Sequence, residues 1–79
     1  MREQVYTLIK RHSAHPTFDA ATPLVQLGID SMRLIQVILD IETELGLVTP
    51  DAYMSEEWFQ TADSVARLYE QVAAQAGRA

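Results

Sequence analysis

The sequence predicts an all-α fold of three main helices and one short one, and three observations carry that reading. Apolar residues recur at i, i+3, i+4 and i+7 in three separate segments. No segment alternates apolar and polar residues as a half-buried strand would, and turn formers separate the helical patterns. The apolar share is 48% with no cysteine, so hydrophobic packing alone must hold the chain together.

At 79 residues the chain is expected to be one domain, near the lower size limit for unaided folding, with room for a few helices and no deep cleft. The longest strictly aliphatic run is Val37-Ile38-Leu39, far short of a membrane span, and Met1-Arg2-Glu3-Gln4 leads into no signal region. A monomer without a membrane partner, in a reducing cytoplasm, is the expectation. The formal net charge is −5, and Asp40, Glu42, Glu44, Asp51, Glu56, Glu57 and Asp63 crowd the middle with no base between them. That charge repels nucleic acid and suits a basic protein surface.

The first helix spans about residues 2–13, with Val5, Leu8, Ile9 and His12 on one stripe and Tyr6 covering an edge. His12 and His15 lie a turn apart, but with no third ligand nearby they mark a helix end rather than a metal site. Residues 14–29 form a long loop with Pro16 and Pro23 as breakers; Leu24, Leu27 and Ile29 are expected to pin it to the core, and Gly28 to supply the bend. The second helix should run over about 31–45, capped by Asp30 or Ser31 and closed by Gly46 in a left-handed conformation. Its inward stripe is Leu34, Val37, Ile38, Ile41 and Leu45. Met32, Ile35 and Leu39 make a second apolar line on another face, and a domain this small has one core to fill, so that line is expected to face outward or to line a groove. A short third helix over about 56–59 begins with Ser55 as cap and ends in Trp58-Phe59. The last helix, about 62–74, buries Val65, Leu68, Tyr69 and Val72, and residues 75–79 are expected to fray.

No constellation for catalysis is present. No carboxylate pair is isolated in apolar surroundings, no glycine-rich phosphate loop exists, and neither histidine is placed to activate a serine. Taken alone, Asp30-Ser31 before an apolar run is an ordinary helix cap.

Leu27-Gly28-Ile29-Asp30-Ser31-Met32 nevertheless resembles the phosphopantetheine attachment signature of acyl carrier and peptidyl carrier proteins: leucine, glycine, a variable residue, aspartate, serine, then leucine or methionine. Pro23-Leu24 ahead of it, the helix rich in late acids after it, Pro50-Asp51 and Phe59-Gln60-Thr61 extend the similarity over about residues 3–74. The resemblance implies a small antiparallel four-helix bundle and a non-catalytic carrier. Ser31 would receive 4′-phosphopantetheine from coenzyme A through a phosphopantetheinyl transferase, and the terminal thiol would hold an acyl or aminoacyl cargo as a thioester. Further partners implied are an acyltransferase, ligase or adenylation enzyme that loads cargo, and a downstream synthase.

Carried over position by position, Asp30 matches the acid before the attachment serine and Met32 the apolar contact after it. Leu39 and Glu42 fall where carriers meet their enzymes, and Ile35 lies on the same outward line. Arg33 and Gln36 join this recognition set as departures: these positions are often acidic in fatty-acid carriers, which points to polyketide or nonribosomal peptide work, in the manner of a free-standing carrier of a secondary-metabolic pathway. Thr49 replaces a more usual aliphatic residue, and Trp58 either closes the core or meets the cargo. The alternative reading is an acidic helical interaction module in which Ser31 is only a helix cap.

Overall fold

A computed structural model describes residues 2–15 and 19–76, with the side chains of Glu56 and Ala76 left aside. Pro16-Thr17-Phe18 of the loop and Gly77-Arg78-Ala79 of the expected frayed tail therefore lie outside the described residues. Three α-helices make the frame: α1 (Arg2–His12), α2 (Ser31–Leu45) and α3 (Ala62–Ala76). Short 3-10 turns fill the connections at Leu24–Leu27, Asp51–Tyr53 and Glu56–Phe59.

Each helix forms where apolar spacing and capping chemistry coincide. In α1, Val5, Leu8 and Ile9 are buried, Tyr6 packs against the core from its edge, and Lys10, Arg11 and His12 sit at the negative end of the helix dipole. The helix stops one residue short of its predicted end, where the Ser13 amide donates to the Lys10 carbonyl in a tighter turn at 3.1 Å. In α2, Asp30 is the cap and its side chain accepts from the Arg33 amide, while Gly46 closes the helix at φ +66°. α3 opens with a reciprocal cap: the Ser64 amide donates to Thr61 Oγ1 and the Thr61 amide to Ser64 Oγ, both at 3.1 Å.

The short third helix differs from expectation. Glu56–Phe59 is a 3-10 turn rather than an α-helix, and Ser55 makes no side-chain cap hydrogen bond. Four residues cannot complete an α-helical ladder, so the turn is held instead by Phe59, which is buried, and by Trp58, which packs on the core. Trp58 meets Tyr53 edge-on, with ring centroids 5.1 Å apart.

The core joins one face of every element. Val37, Ile38 and Ile41 of α2 are buried against Val5, Leu8 and Ile9 of α1 and Val65, Leu68, Tyr69 and Val72 of α3. Leu34 and Leu45, predicted on the same stripe, are only partly covered, one near each end of α2. Helices α1 and α2 run in opposite directions. His12 at the end of α1 meets Asp40 and Arg33, whereas Gln4 and Leu45 line the far end of the groove between them.

Two polar devices close the bundle. Tyr69 is fully buried, and its hydroxyl finds its partner in Thr49 Oγ1 at 2.6 Å. That explains the hydroxyl at position 49: an aliphatic residue there would leave the tyrosine oxygen unpaired. The neighbouring residue of α3, Glu70, pairs with Arg2 at 2.6 Å, Arg2 also reaches Asp63 at 2.5 Å, and hydrogen bonding to Arg2 holds the Glu70 carboxyl below its ordinary range.

Three outcomes follow from this packing. Ile41→Ala is expected to cost about 2–5 kcal/mol by opening a cavity, while Met32→Ala leaves the urea midpoint nearly unchanged; the reverse order would mean that the faces of α2 are misassigned. Thr49→Val is expected to cost about 1–3 kcal/mol through the orphaned Tyr69 hydroxyl, and adding Tyr69→Phe should recover part of that loss in a double-mutant cycle. Because folding lowers the Glu70 pKa, its contribution is fully present above the ordinary glutamate value and is lost as pH falls through the lowered one. The stability gap between the wild type and Glu70→Gln should therefore shrink on acidification, and a gap that stays constant would argue against the Arg2 pairing.

Candidate functional site

The site is built by a loop that cannot drift. Leu24, Leu27 and Ile29 are each 3% exposed, so the last third of the long connection is driven into the core. Backbone bonds tie it at both sides: the Ala14 amide donates to the Leu27 carbonyl at 2.8 Å, and the Leu24 amide to the Gln60 carbonyl at 2.8 Å. Asp63 donates its amide to the Ala20 carbonyl at 3.0 Å, and Pro23 pairs with Thr61 in an isolated antiparallel bridge. The loop thus spans from the end of α1 to the start of α3.

Gly28 makes the final bend possible. Its φ is +79°, a left-handed conformation that side chains disfavour, and a Cβ there would stand 3.0 Å from the Ala14 Cβ. The chain then extends through Ile29 and enters α2 with Asp30 as cap.

Ser31 is the first residue of α2 and is exposed, and no hydrogen bond among the described residues engages its hydroxyl. Asp30 Oδ1 takes the Arg33 amide at 2.9 Å, and the Leu34 amide donates to the Asp30 carbonyl at 2.9 Å. The remaining amides of the first turn have no partner within the helix, and the dipole adds its positive end there. A phosphodiester on Ser31 Oγ fits this place on two counts: the oxygen is open to solvent, and the adjoining backbone favours an anion.

The rest of the predicted recognition set divides. Met32, Ile35 and Leu39 are 74, 57 and 54% exposed, which places the second apolar line on the outside of the bundle. Gln36 is exposed on that side, and Arg33 is exposed at its flank. Glu42 does something the sequence reading missed. Its Oε2 accepts from the Thr49 amide at 2.8 Å, tying the loop after Gly46 to α2, so this carboxylate has a structural task. The neighbouring acids are occupied as well: Arg11 reaches Glu44 at 2.5 Å and Asp40 at 3.6 Å, and His12 Nε2 lies 2.6 Å from Asp40 Oδ2. Sequence spacing shows acids on α2 but not the α1 cations that meet them across the bundle. Among the described residues no group of three or more His, Cys, Asp or Glu side chains could hold a metal ion, and His12 is accounted for by Asp40.

The family model for the phosphopantetheine attachment site matches residues 3–72. No curated protein sequence matches the chain. In fold, the chain is similar to a chain of the crystal structure of Bradyrhizobium japonicum glycine:[carrier protein] ligase complexed with its cognate carrier protein and an analogue of glycyl adenylate. The TM-score is 0.71 at 20% identity, covering 89% of this chain and 91% of that one. It is likewise similar to a chain of the same ligase's structure complexed with glycylated carrier protein, with a TM-score of 0.68 at 21% identity, covering 85% of this chain and 90% of that one. The all-α bundle with Ser31 exposed at a helix start, and a family match over most of its length, lead to one conclusion: the chain belongs to the phosphopantetheine attachment family of non-catalytic carriers, whose members bear a covalent 4′-phosphopantetheine arm.

Proposed function

We propose that Ser31 is the attachment point of the arm and that the outward face of α2 is the surface by which enzymes grip the carrier. The observation that carries this reading is the state of the Ser31 hydroxyl: exposed, unengaged and set at the positive end of a 15-residue helix. A phosphopantetheinyl transferase joins the two by forming a bond from Ser31 Oγ to the phosphorus that carries the pantetheine. The bond to the adenosine bisphosphate half of coenzyme A breaks, and the serine proton passes to a base of the transferase. The arm supplies a terminal thiol on a flexible chain, where cargo is held as a thioester. This chain contributes the rigid cap at Asp30 that fixes where the arm begins, and the seam of Met32, Ile35 and Leu39, an apolar strip of the kind that forms weak, exchangeable interfaces.

The cargo belongs to acyl or aminoacyl chemistry, delivered by an acyltransferase, ligase or adenylation enzyme and passed to a downstream synthase. Two observations support the aminoacyl side and a polyketide or nonribosomal peptide context: Arg33 and Gln36 stand where fatty-acid carriers often have acids, and the solved structures it resembles hold a glycine ligase with its carrier. A cytoplasmic monomer is part of the same reading; among the described residues no helix is long and apolar enough to cross a membrane.

Incubation with coenzyme A, magnesium and a broad-specificity transferase should add the mass of one arm to the wild type and none to Ser31→Ala. A wild type left bare under conditions that load a control carrier would reduce Ser31 to a helix cap and the protein to an acidic interaction module.

A further inference from the structure

We propose that the docking face of α2 is steered by the cation Arg33, not by the acids of the helix, so that the partner surface it fits is apolar with a carboxylate opposite Arg33. The inference rests on the proposed role of Ser31 and names the chemistry of its partner. At about 100° per residue, Ile35, Leu39, Met32, Thr43 and Gln36 share the outward face with Ser31 at its rim, and all six are exposed. Asp40 and Glu44 project along the flank nearest α1, where Arg11 and His12 hold them; Glu42 projects along the opposite flank, where the Thr49 amide holds it. Asp30 is turned to the Arg33 amide as the cap. Each carboxylate of this helix and its cap is thus directed at a partner within the bundle.

Arg33 is placed differently. It lies on the α1 flank of the seam, about two turns before Asp40, and it is exposed. Its guanidinium makes one long contact, Nη1 to the His12 carbonyl at 3.4 Å, and no ion pair among the described residues includes it. A cation in the first turn also opposes the helix dipole, so its position is not one that helix stability selects. Residues 31 and 33 stand about 160° apart around the axis, so the Ser31 oxygen and Arg33 lie at opposite rims of the seam, and the exposed guanidinium, held only by the His12 carbonyl, is free to swing to a protein seated there.

The test measures kcat/KM for arm transfer from coenzyme A by a broad-specificity transferase on the wild type, Arg33→Gln, Arg33→Glu and Arg11→Gln at low and high salt. An acid at this third position suits the dipole, so Arg33→Glu should melt no lower than the wild type, and a change in transfer is then not a folding defect. Expected is a loss of about fivefold or more for Arg33→Glu at low salt, carried by KM with kcat held, smaller for Arg33→Gln and shrinking as salt is raised. Arg11→Gln, which releases Glu44 and leaves Asp40 to His12 alone, should give no acceleration. Faster transfer by Arg33→Glu or by Arg11→Gln would identify a basic partner surface and overturn the proposal, as would an unchanged KM in Arg33→Glu. A wild type that accepts no arm at all would overturn the Ser31 reading, and the steering proposal with it.

Discussion

The placement of Ser31 depends on one constraint, the anchoring of the long connection across the top of the bundle. A loop of this length pays a closure entropy that only buried side chains and backbone pairing can offset. Here Leu24, Leu27 and Ile29 provide the burial, and the bonds to Ala14, Gln60 and Asp63 provide the pairing. The start of α2 is therefore fixed relative to both other helices. Ser31 can stand exposed yet keep a constant position, which is what the proposed attachment role requires.

The same helix is asked to do two incompatible things, and its faces divide them. One side buries Val37, Ile38 and Ile41 and holds the fold; the other exposes Met32, Ile35 and Leu39. Between them the acidic flanks act as seams of the bundle, with Arg11 and His12 joining α1 to α2 and Glu42 tying down the loop that brings Thr49 to Tyr69. A small protein has few ways to fasten helix ends, and paired side chains at the rims supplement a core that is necessarily thin. Net charge is then a poor guide to the surface a partner meets.

Much of this was legible in the residues. Apolar spacing located the three helices, and the cap chemistry of Asp30 and Gly46 placed the ends of α2, because these signals are local. Leu24, Leu27 and Ile29 were readable as anchors because a long loop needs them, and Gly28 because a bend before a helix favours a left-handed residue. The pairings that cross the chain were not legible: Arg11 lies 33 positions from Glu44, and Thr49 lies 20 from Tyr69. Sequence shows charge and hydroxyls but not which neighbour tertiary structure will bring. The 3-10 turns at 24–27 and 51–53 were missed for another reason, since three or four residues carry too little periodicity to register.

Where the chain departs from what stability alone would choose, most of the departures lie close to Ser31. Elsewhere the large apolar residues are mostly covered, Val48 and Met54 excepted, and no buried side-chain polar atom among the described residues lacks a partner. Around Ser31, Val25 stands 77% exposed just before the bend, Met32 and Ile35 face water just after it, and Arg33 sets a positive charge at the positive end of a helix. Each choice costs a little and none is repaid within the domain. A chain whose local preferences otherwise agree with its fold concentrates such conflicts where something outside the fold is met. The conflicts here surround an open hydroxyl on a rigid mount, and apolar contact with charge matching from a second protein would resolve all of them at once.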